Sequence, residues 1–328
     1  MLNNALHLNE KVLQGESEKS GIRDGFGHGL VDAAKADERV VGLCCDLTES
    51  VRMHHFKESF PQRFIEVGVA EQNLASVGSG MAAMGKIPFI ASYAMFNPGR
   101  NWEQIRTTIC YNNVPVKIVG GHAGISVAQD GGTHQAVEDV AIMRVIPRMQ
   151  VVVPCDEHQA YKATLAIAQT TAPTYIRLEK QKTHQITTEE TPYEIGVAQS
   201  LYGTDSQAKI VLIANGSLVA TALQVAEKLQ HEDGVLIEVI NMHTVKPLDV
   251  KCLGRIGVHA KHVVTLEEHQ RAGGMGSAVA EWFSEHHPMR ITRIGIDDAF
   301  GESGTAQDLL EYHGLDVISV HKKIKELL

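Results

Sequence analysis

A chain of 328 residues, 44% hydrophobic and 21% charged, has the composition of an ordinary globular protein and enough length for two domains that each bury a core, which excludes disorder on a large scale. A net charge of -9 argues against a non-specific nucleic-acid binder, which needs a basic surface, though it leaves room for a local basic pocket. The five cysteines, at 44, 45, 110, 155 and 252, contain no Cys-x-x-Cys pair and suggest neither a zinc site nor a disulfide framework. Reduced thiols, an N-terminus without a basic region leading into an apolar core, and no run of about eighteen apolar residues together predict a cytoplasmic protein, neither secreted nor membrane-spanning.

Taken in chain order, apolar runs bounded by turn residues alternate with helical patterns, the signature of βαβ units and a parallel sheet. Val40 to Cys45 reads as a buried strand, Arg63 to Val67 as a short strand, and Leu74 to Met84 as a helix rich in small residues. Ile87 to Ile90 resumes strand character, Trp102 to Tyr111 is helical, and Val116 to Gly120 ends as a strand just before Gly121-His122-Ala123-Gly124. Val151 to Pro154 and Thr174 to Arg177 close a first domain, expected over residues 1-187. The polar, threonine-rich stretch that follows lacks periodicity and reads as a linker, 188-208. A second α/β unit is expected over 209-328, with strands at Ile210 to Ala214, Val235 to Ile240, Val263 to Leu266 and Ile291 to Ile296, and an amphipathic helix at Leu218 to Leu229. The predicted fold class is α/β, two consecutive three-layer domains, the first with a mainly parallel sheet.

Open α/β sheets place ligands in loops at the C-terminal ends of their strands, and Glu71 and His122 both follow such strands. By position alone Glu71, in Gly68-Val69-Ala70-Glu71-Gln72-Asn73, is a carboxylate favouring a helix N-terminus. A lone histidine is most often satisfied in a polar loop. His122 and His134 with Asp130 between them, in the glycine-rich run Asp130-Gly131-Gly132-Thr133-His134-Gln135, are less easily set aside as bland. Tyr93 and Phe96 read first as core packing. Arg52, Arg177 and Lys180 read first as solvated surface charges.

These motifs resemble the pyrimidine-binding half of transketolase, and the likeness runs from about Gly21 to the C-terminus. By that resemblance Glu71 is the glutamate that hydrogen-bonds N1' of the aminopyrimidine of thiamine diphosphate, a task that needs a carboxyl able to share a proton. Phe96, and more weakly Tyr93, stack on the pyrimidine. A third aromatic of the family pattern falls near Gly99, where this chain has none, so the pocket wall is thinner here or completed by a partner. His122 and His134 contact the donor ketose and the two-carbon unit taken from it, work that suits an imidazole able to donate or accept near neutral pH. Asp130 reads the hydroxyl next to the acceptor aldehyde. Arg52, Arg177 and Lys180 are the cations for a substrate phosphate, with Lys180 standing where the family has an arginine. In the second domain, Glu267-Glu268-His269, Gly273 to Ala278 and Phe300-Gly301-Glu302-Ser303-Gly304 resemble the transketolase C-terminal domain, read as a dimerisation and scaffold module.

The resemblance also marks a missing part. Full-length transketolases carry a further domain that binds the diphosphate and Mg²⁺ (or Ca²⁺) through Gly-Asp-Gly, and that motif does not occur here. Magnesium needs oxygen ligands around it, so no metal ligand is assigned to this chain. The expectation is therefore the C-terminal subunit of a split, two-chain enzyme in the non-oxidative pentose phosphate pathway. It would pair with a separate N-terminal subunit as an α2β2 tetramer. Three rivals stand beside it: a 1-deoxy-xylulose-5-phosphate synthase, which typically has Asp-Arg-Ala-Gly in place of Gly121 to Gly124; a 2-oxoacid dehydrogenase β subunit; and a silent scaffold of the same fold.

Overall fold

The computed structural model describes residues 1–204 and 208–328. Its strands are β1 (Lys19–Gly21), β2 (Val40–Cys44), β3 (Phe64–Glu66), β4 (Ile87–Tyr93), β5 (Lys117–Ala123), β6 (Gln150–Val152) and β7 (Thr174–Glu179), followed by β8 (Lys182–His184), β9 (Gln199–Tyr202), β10 (Ile210–Ala214), β11 (Ile237–Asn241), β12 (Thr244–Lys246), β13 (His262–Gln270) and β14 (Arg290–Ile296). A seven-stranded sheet runs β12-β6-β7-β5-β4-β2-β3 and a five-stranded sheet runs β14-β13-β10-β11-β9, while β1 and β8 form a separate pair. Only the edge strands β12 and β9 run antiparallel to their neighbours in the two large sheets. Two α/β units with mainly parallel sheets are thus present, as the alternating pattern predicts.

The central strands are apolar runs buried on both faces, as parallel sheets covered by helices require. Every residue of β2 is buried. The helix Glu71–Ala83 packs down on β4, and its small residues permit the approach: a Cβ on Gly78 would stand 2.7 Å from Ile90 Cγ2. That close seat fixes Glu71 at the start of the helix. On the opposite face the helices Ile22–Ala36 and Glu157–Ala168 touch backbone to backbone, where a Cβ on Gly25 would overlap the Glu157 carbonyl. Asp156 caps the second of these helices by accepting from Gln159 N, a standard N-terminal cap.

The structure departs from the sequence reading at two edges. The stretch expected as a linker contains β9, whose Leu201 and Tyr202 are buried, a two-residue apolar signal too short to stand out; its residues 205–207 lie outside the described residues. β12, from the second half of the chain, crosses back to pair with β6 of the first sheet, and its Val245 is buried in a core cluster to which both units contribute. The Gly-His motif also lies inside β5, which runs to Ala123, instead of following it.

Candidate active site

The loops that leave β2, β3, β4, β5 and β7 at their C-terminal ends converge on one face, and nearly all of the predicted site residues sit there. Glu71 is the first residue of its helix and only 1% exposed. Its carboxylate accepts from Arg100 Nη1 at 2.6 Å and from Ser92 Oγ at 3.3 Å. Arg100 is absent from the residues that the motifs single out. Its guanidinium also lies over the Phe96 ring, 4.7 Å from the centroid. No side chain fits at Gly99, since a Cβ there would overlap the Met95 carbonyl. Arg100 is the residue next to Gly99 in the chain.

Phe96 and Tyr93 stack with ring centroids 6.4 Å apart. Tyr93 in turn stacks on His122 at 3.9 Å, and His134 presents an edge arrangement to Phe96 at 5.5 Å and to Tyr93 at 6.3 Å. The four rings form one continuous cluster between Glu71 and a patch of cations. His122 is buried and holds φ +55, a left-handed conformation that non-glycine residues adopt rarely and at functional sites disproportionately. Burial lowers its pKa to about 3, assisted by the charges of Arg23, Lys180, Arg52 and His134. It is therefore neutral near pH 7, and its buried Nδ1 has no hydrogen-bond partner among the described residues.

The cations next to His122 differ from those expected. Arg23, near the start of the helix Ile22–Ala36, donates to the carbonyls of Ser50 and Lys180 and lies 3.5 Å from His122 Nε2. Burial lowers its pKa, with the Arg52 charge adding to the effect. No local pattern marks a single arginine at a helix start, so nothing in the sequence points to it. Arg52, also left-handed at φ +64, pairs with Asp24. Lys180 pairs with Asp130 at 3.2 Å and holds the Val127 carbonyl at 3.0 Å.

Arg177 does not join this patch. It is 3% exposed and committed to Asp139 at 2.9 Å, to Glu179 at 3.2 Å and to the Glu268 carbonyl at 2.8 Å. Burial opposes its charge, but Asp139, Glu179 and Glu268 together hold its pKa above the usual value. The physical reason for the correction is register: residues 177 and 179 of β7 both face the packed junction between the two α/β units, whereas Lys180 lies past the strand end. A cavity of about 510 Å³ beside Glu179 and Glu268 contains none of Glu71, Phe96, His122 or His134 among its lining residues. Of those four, Phe96 and His134 are partly exposed and Glu71 and His122 are buried.

A buried carboxylate beside a stacked aromatic, with a buried histidine and a cation patch beyond it, lies on the C-terminal edge of a parallel sheet, where open α/β enzymes place their ligands. The chain belongs to the transketolase family, which depends on thiamine diphosphate. It matches "Transketolase, pyrimidine binding domain" over residues 18–185 and "Transketolase, C-terminal domain" over 203–320. A putative transketolase C-terminal section from Methanocaldococcus jannaschii is 40% identical over 93% of this chain and 96% of its own length. A 6-deoxy-6-sulfo-D-fructose transketolase subunit from a Clostridium species is 38% identical over 94% of this chain and 95% of its own. Among solved structures, "Split gene transketolase, inactive beta4 tetramer" superposes with a TM-score of 0.86 at 38% identity, covering 93% of this chain and 97% of that one.

Proposed function

We propose that this chain is the C-terminal subunit of a split transketolase that moves a two-carbon ketol unit from a ketose phosphate to an aldose phosphate, with the non-oxidative pentose phosphate pathway as its setting. The observation that carries the reading is Glu71, buried to 1% at a helix start yet joined through Arg100 and Phe96 to both histidines. The residues fit the pyrimidine end of thiamine diphosphate: Glu71 would share a proton with the ring nitrogen and Phe96 would carry the ring face. When bound, that cofactor supplies the electron sink that takes up the pair from the broken C2–C3 bond of the donor and returns it to the acceptor carbonyl.

The chain's own residues then hold the sugar. His122, neutral by burial, can donate or accept at a donor hydroxyl or carbonyl, and His134 approaches from the same aromatic cluster. Asp130 sits at the exposed end of the loop for the acceptor hydroxyl. Arg23, Arg52 and Lys180 give the anionic end of the sugar a basic surface in a protein that is acidic as a whole. Among the described residues the one group of three His, Cys, Asp or Glu side chains close enough to hold a metal ion is Glu232, Asp233 and His321, none of which belongs to this cluster.

Val69, 69% exposed two residues before Glu71, and the half-exposed Arg100 support a face that a second chain covers. We assign that place to a separate N-terminal subunit holding the diphosphate and the metal, in an α2β2 assembly, with the site at the interface. The domains are taken as 1-187 and 209-328, the connection 188-208 contributing β9. Five unpaired cysteines, four of them buried, support a reducing compartment such as the cytoplasm, and no helix among the described residues is long and apolar enough to cross a membrane.

The test is reconstitution with the N-terminal subunit, cofactor, Mg²⁺ and sugar phosphates. Glu71→Gln should lower turnover at least about a thousandfold while the complex still assembles. Turnover at the wild-type rate would sink the reading and favour a silent scaffold. Pyruvate as sole donor serves as a second arm, and decarboxylation of it would support the 1-deoxy-xylulose-5-phosphate synthase or 2-oxoacid dehydrogenase alternatives.

A further inference from the structure

The loop that carries Asp130 and His134 leaves β5 and returns at Ala136, which bridges to Ala123. It is not held by its own domain alone. Between its ends the backbone takes left-handed values at Ala128 (φ +68) and Gly131 (φ +74), and short turns tie Gly131 N to the Ala128 carbonyl and His134 N to the Gly131 carbonyl. Gln135 closes the loop from inside. It is 2% exposed, and its Nε2 donates to the Ile125 carbonyl at 3.3 Å, the Ala128 carbonyl at 3.1 Å and the Glu302 carbonyl at 2.8 Å. The shortest of the three reaches into the second α/β unit.

Glycines make that contact close enough to work. A Cβ on Gly301 would overlap Gln135 Oε1, one on Gly132 would overlap the Gly301 carbonyl, and one on Gly131 would lie 2.6 Å from Ser303 Oγ. The two loops therefore meet with glycine backbone set against the Gln135 and Ser303 side chains and against the Gly301 carbonyl, in a geometry that leaves no room for a Cβ at Gly131, Gly132 or Gly301. From the other side Lys180 holds Val127 and Asp130. His134, the residue before Gln135, is thereby fixed against Phe96.

From this seating we infer that the second α/β unit positions the sugar-facing loop of the first, with the Phe300–Ser303 segment as its support and Gln135 as the positioning residue between them. The inference rests on the reading of Asp130 and His134 as sugar contacts, and it gives the second unit a task beyond scaffolding. Gln135 touches no substrate. It acts by keeping three carbonyls, two of the loop and one of the support, on a single donor, so that the loop's register is set across the domain boundary.

Three variants of the full chain test it: Gln135→Ala, Gln135→Glu and Gly301→Ala, with Gly254→Ala as a control at a position where a Cβ meets nothing within 4 Å. Hydrogen exchange on the chain alone should rise at least about tenfold over residues 125–135 for the first three and stay unchanged for the control, with the strands of the sheet unaffected. In the reconstituted complex the same three should raise the donor KM about tenfold or more while cofactor affinity stays within about twofold, because Glu71 and Phe96 sit on other loops. Gln135→Glu, which sets an acceptor oxygen against three carbonyls, should be no milder than Gln135→Ala. Gln135→Ala combined with Gly301→Ala should be less than additive. Unchanged exchange in the loop, an unchanged donor KM, or losses equalled by the Gly254 control would overturn the inference. A wild-type complex without ketol transfer would instead overturn the functional reading, and the exchange comparison would still decide whether the second unit holds the loop.

Discussion

Arg100 meets Glu71 at 2.6 Å and Arg177 meets Asp139 at 2.9 Å, and both carboxylates are almost fully buried, yet the first guanidinium is 46% exposed and the second 3%. At the open face the arginine lies across an aromatic ring and can leave for solvent without stranding its own charge. At the junction between the two α/β units the arginine is enclosed by Asp139, Glu179 and the Glu268 backbone, and a second carboxyl, Glu268, stands beside Glu179. Its burial, followed by the Glu179 charge, pushes the Glu268 pKa up to about 8. The first pair leaves its cation open to solvent, whereas the second encloses it and joins the domains. Access to solvent separates the two, since the chemical groups are the same.

The sharpest way to break this comparison is to remove each arginine. Arg177→Met should cost about 3–5 kcal/mol, because it leaves buried carboxylates without their cation; urea unfolding of the full chain measures it, and a loss below about 1 kcal/mol would put the two pairs in one class. Next in size are two pH effects of opposite sign. Glu268 has a folded pKa above its unfolded value, so the folded chain binds the extra proton and its contribution to stability is full below about pH 4.5 and lost as the pH rises toward 8. Glu268→Gln should remove roughly 2 kcal/mol of that decline between about pH 5.5 and 7.

His122 and His243 behave in the reverse sense. Burial lowers His243 to about 4 and His122 to about 3, so their contributions are full above about pH 6.5 and fall as protons bind the unfolded imidazoles below it. His122→Asn should flatten the loss between about pH 6.5 and 5 by about 2 kcal/mol, measured by the same unfolding at the two pH values. The smallest effect is expected at the open pair. Arg100→Gln should cost less than Arg177→Met, because the half-exposed arginine leaves behind one buried carboxyl that keeps Ser92 Oγ and can still accept from the new amide, and thermal unfolding should show the smaller shift.

Much of the site is legible in the amino-acid sequence. Strand ends and glycine-rich turns place Glu71 at a helix start and the Asp130 loop at the C-terminal edge of a parallel sheet, and the resemblance to transketolase motifs is what singles out these residues and the two histidines. Arg23, Arg100 and the role of Gly301 are not legible in this way. A single arginine carries no periodicity, and the packing of one glycine against a side chain far away in the chain leaves no local mark. Arg177 escapes a sequence reading for a related reason: alternation along a strand does not say which face a second domain will cover.

The alternation of apolar strands and helices is written in the chain itself, and with it come two mainly parallel sheets and the residue types that gather at the edge of the first. Which charges are free and which are enclosed follows from tertiary packing alone. The same packing recruits β9 from the connecting stretch, carries β12 back across the division between the units, and seats the Asp130 loop on the second unit. Local patterns encode a segment's own conformation, whereas burial and long-range pairing depend on what another part of the chain brings against it.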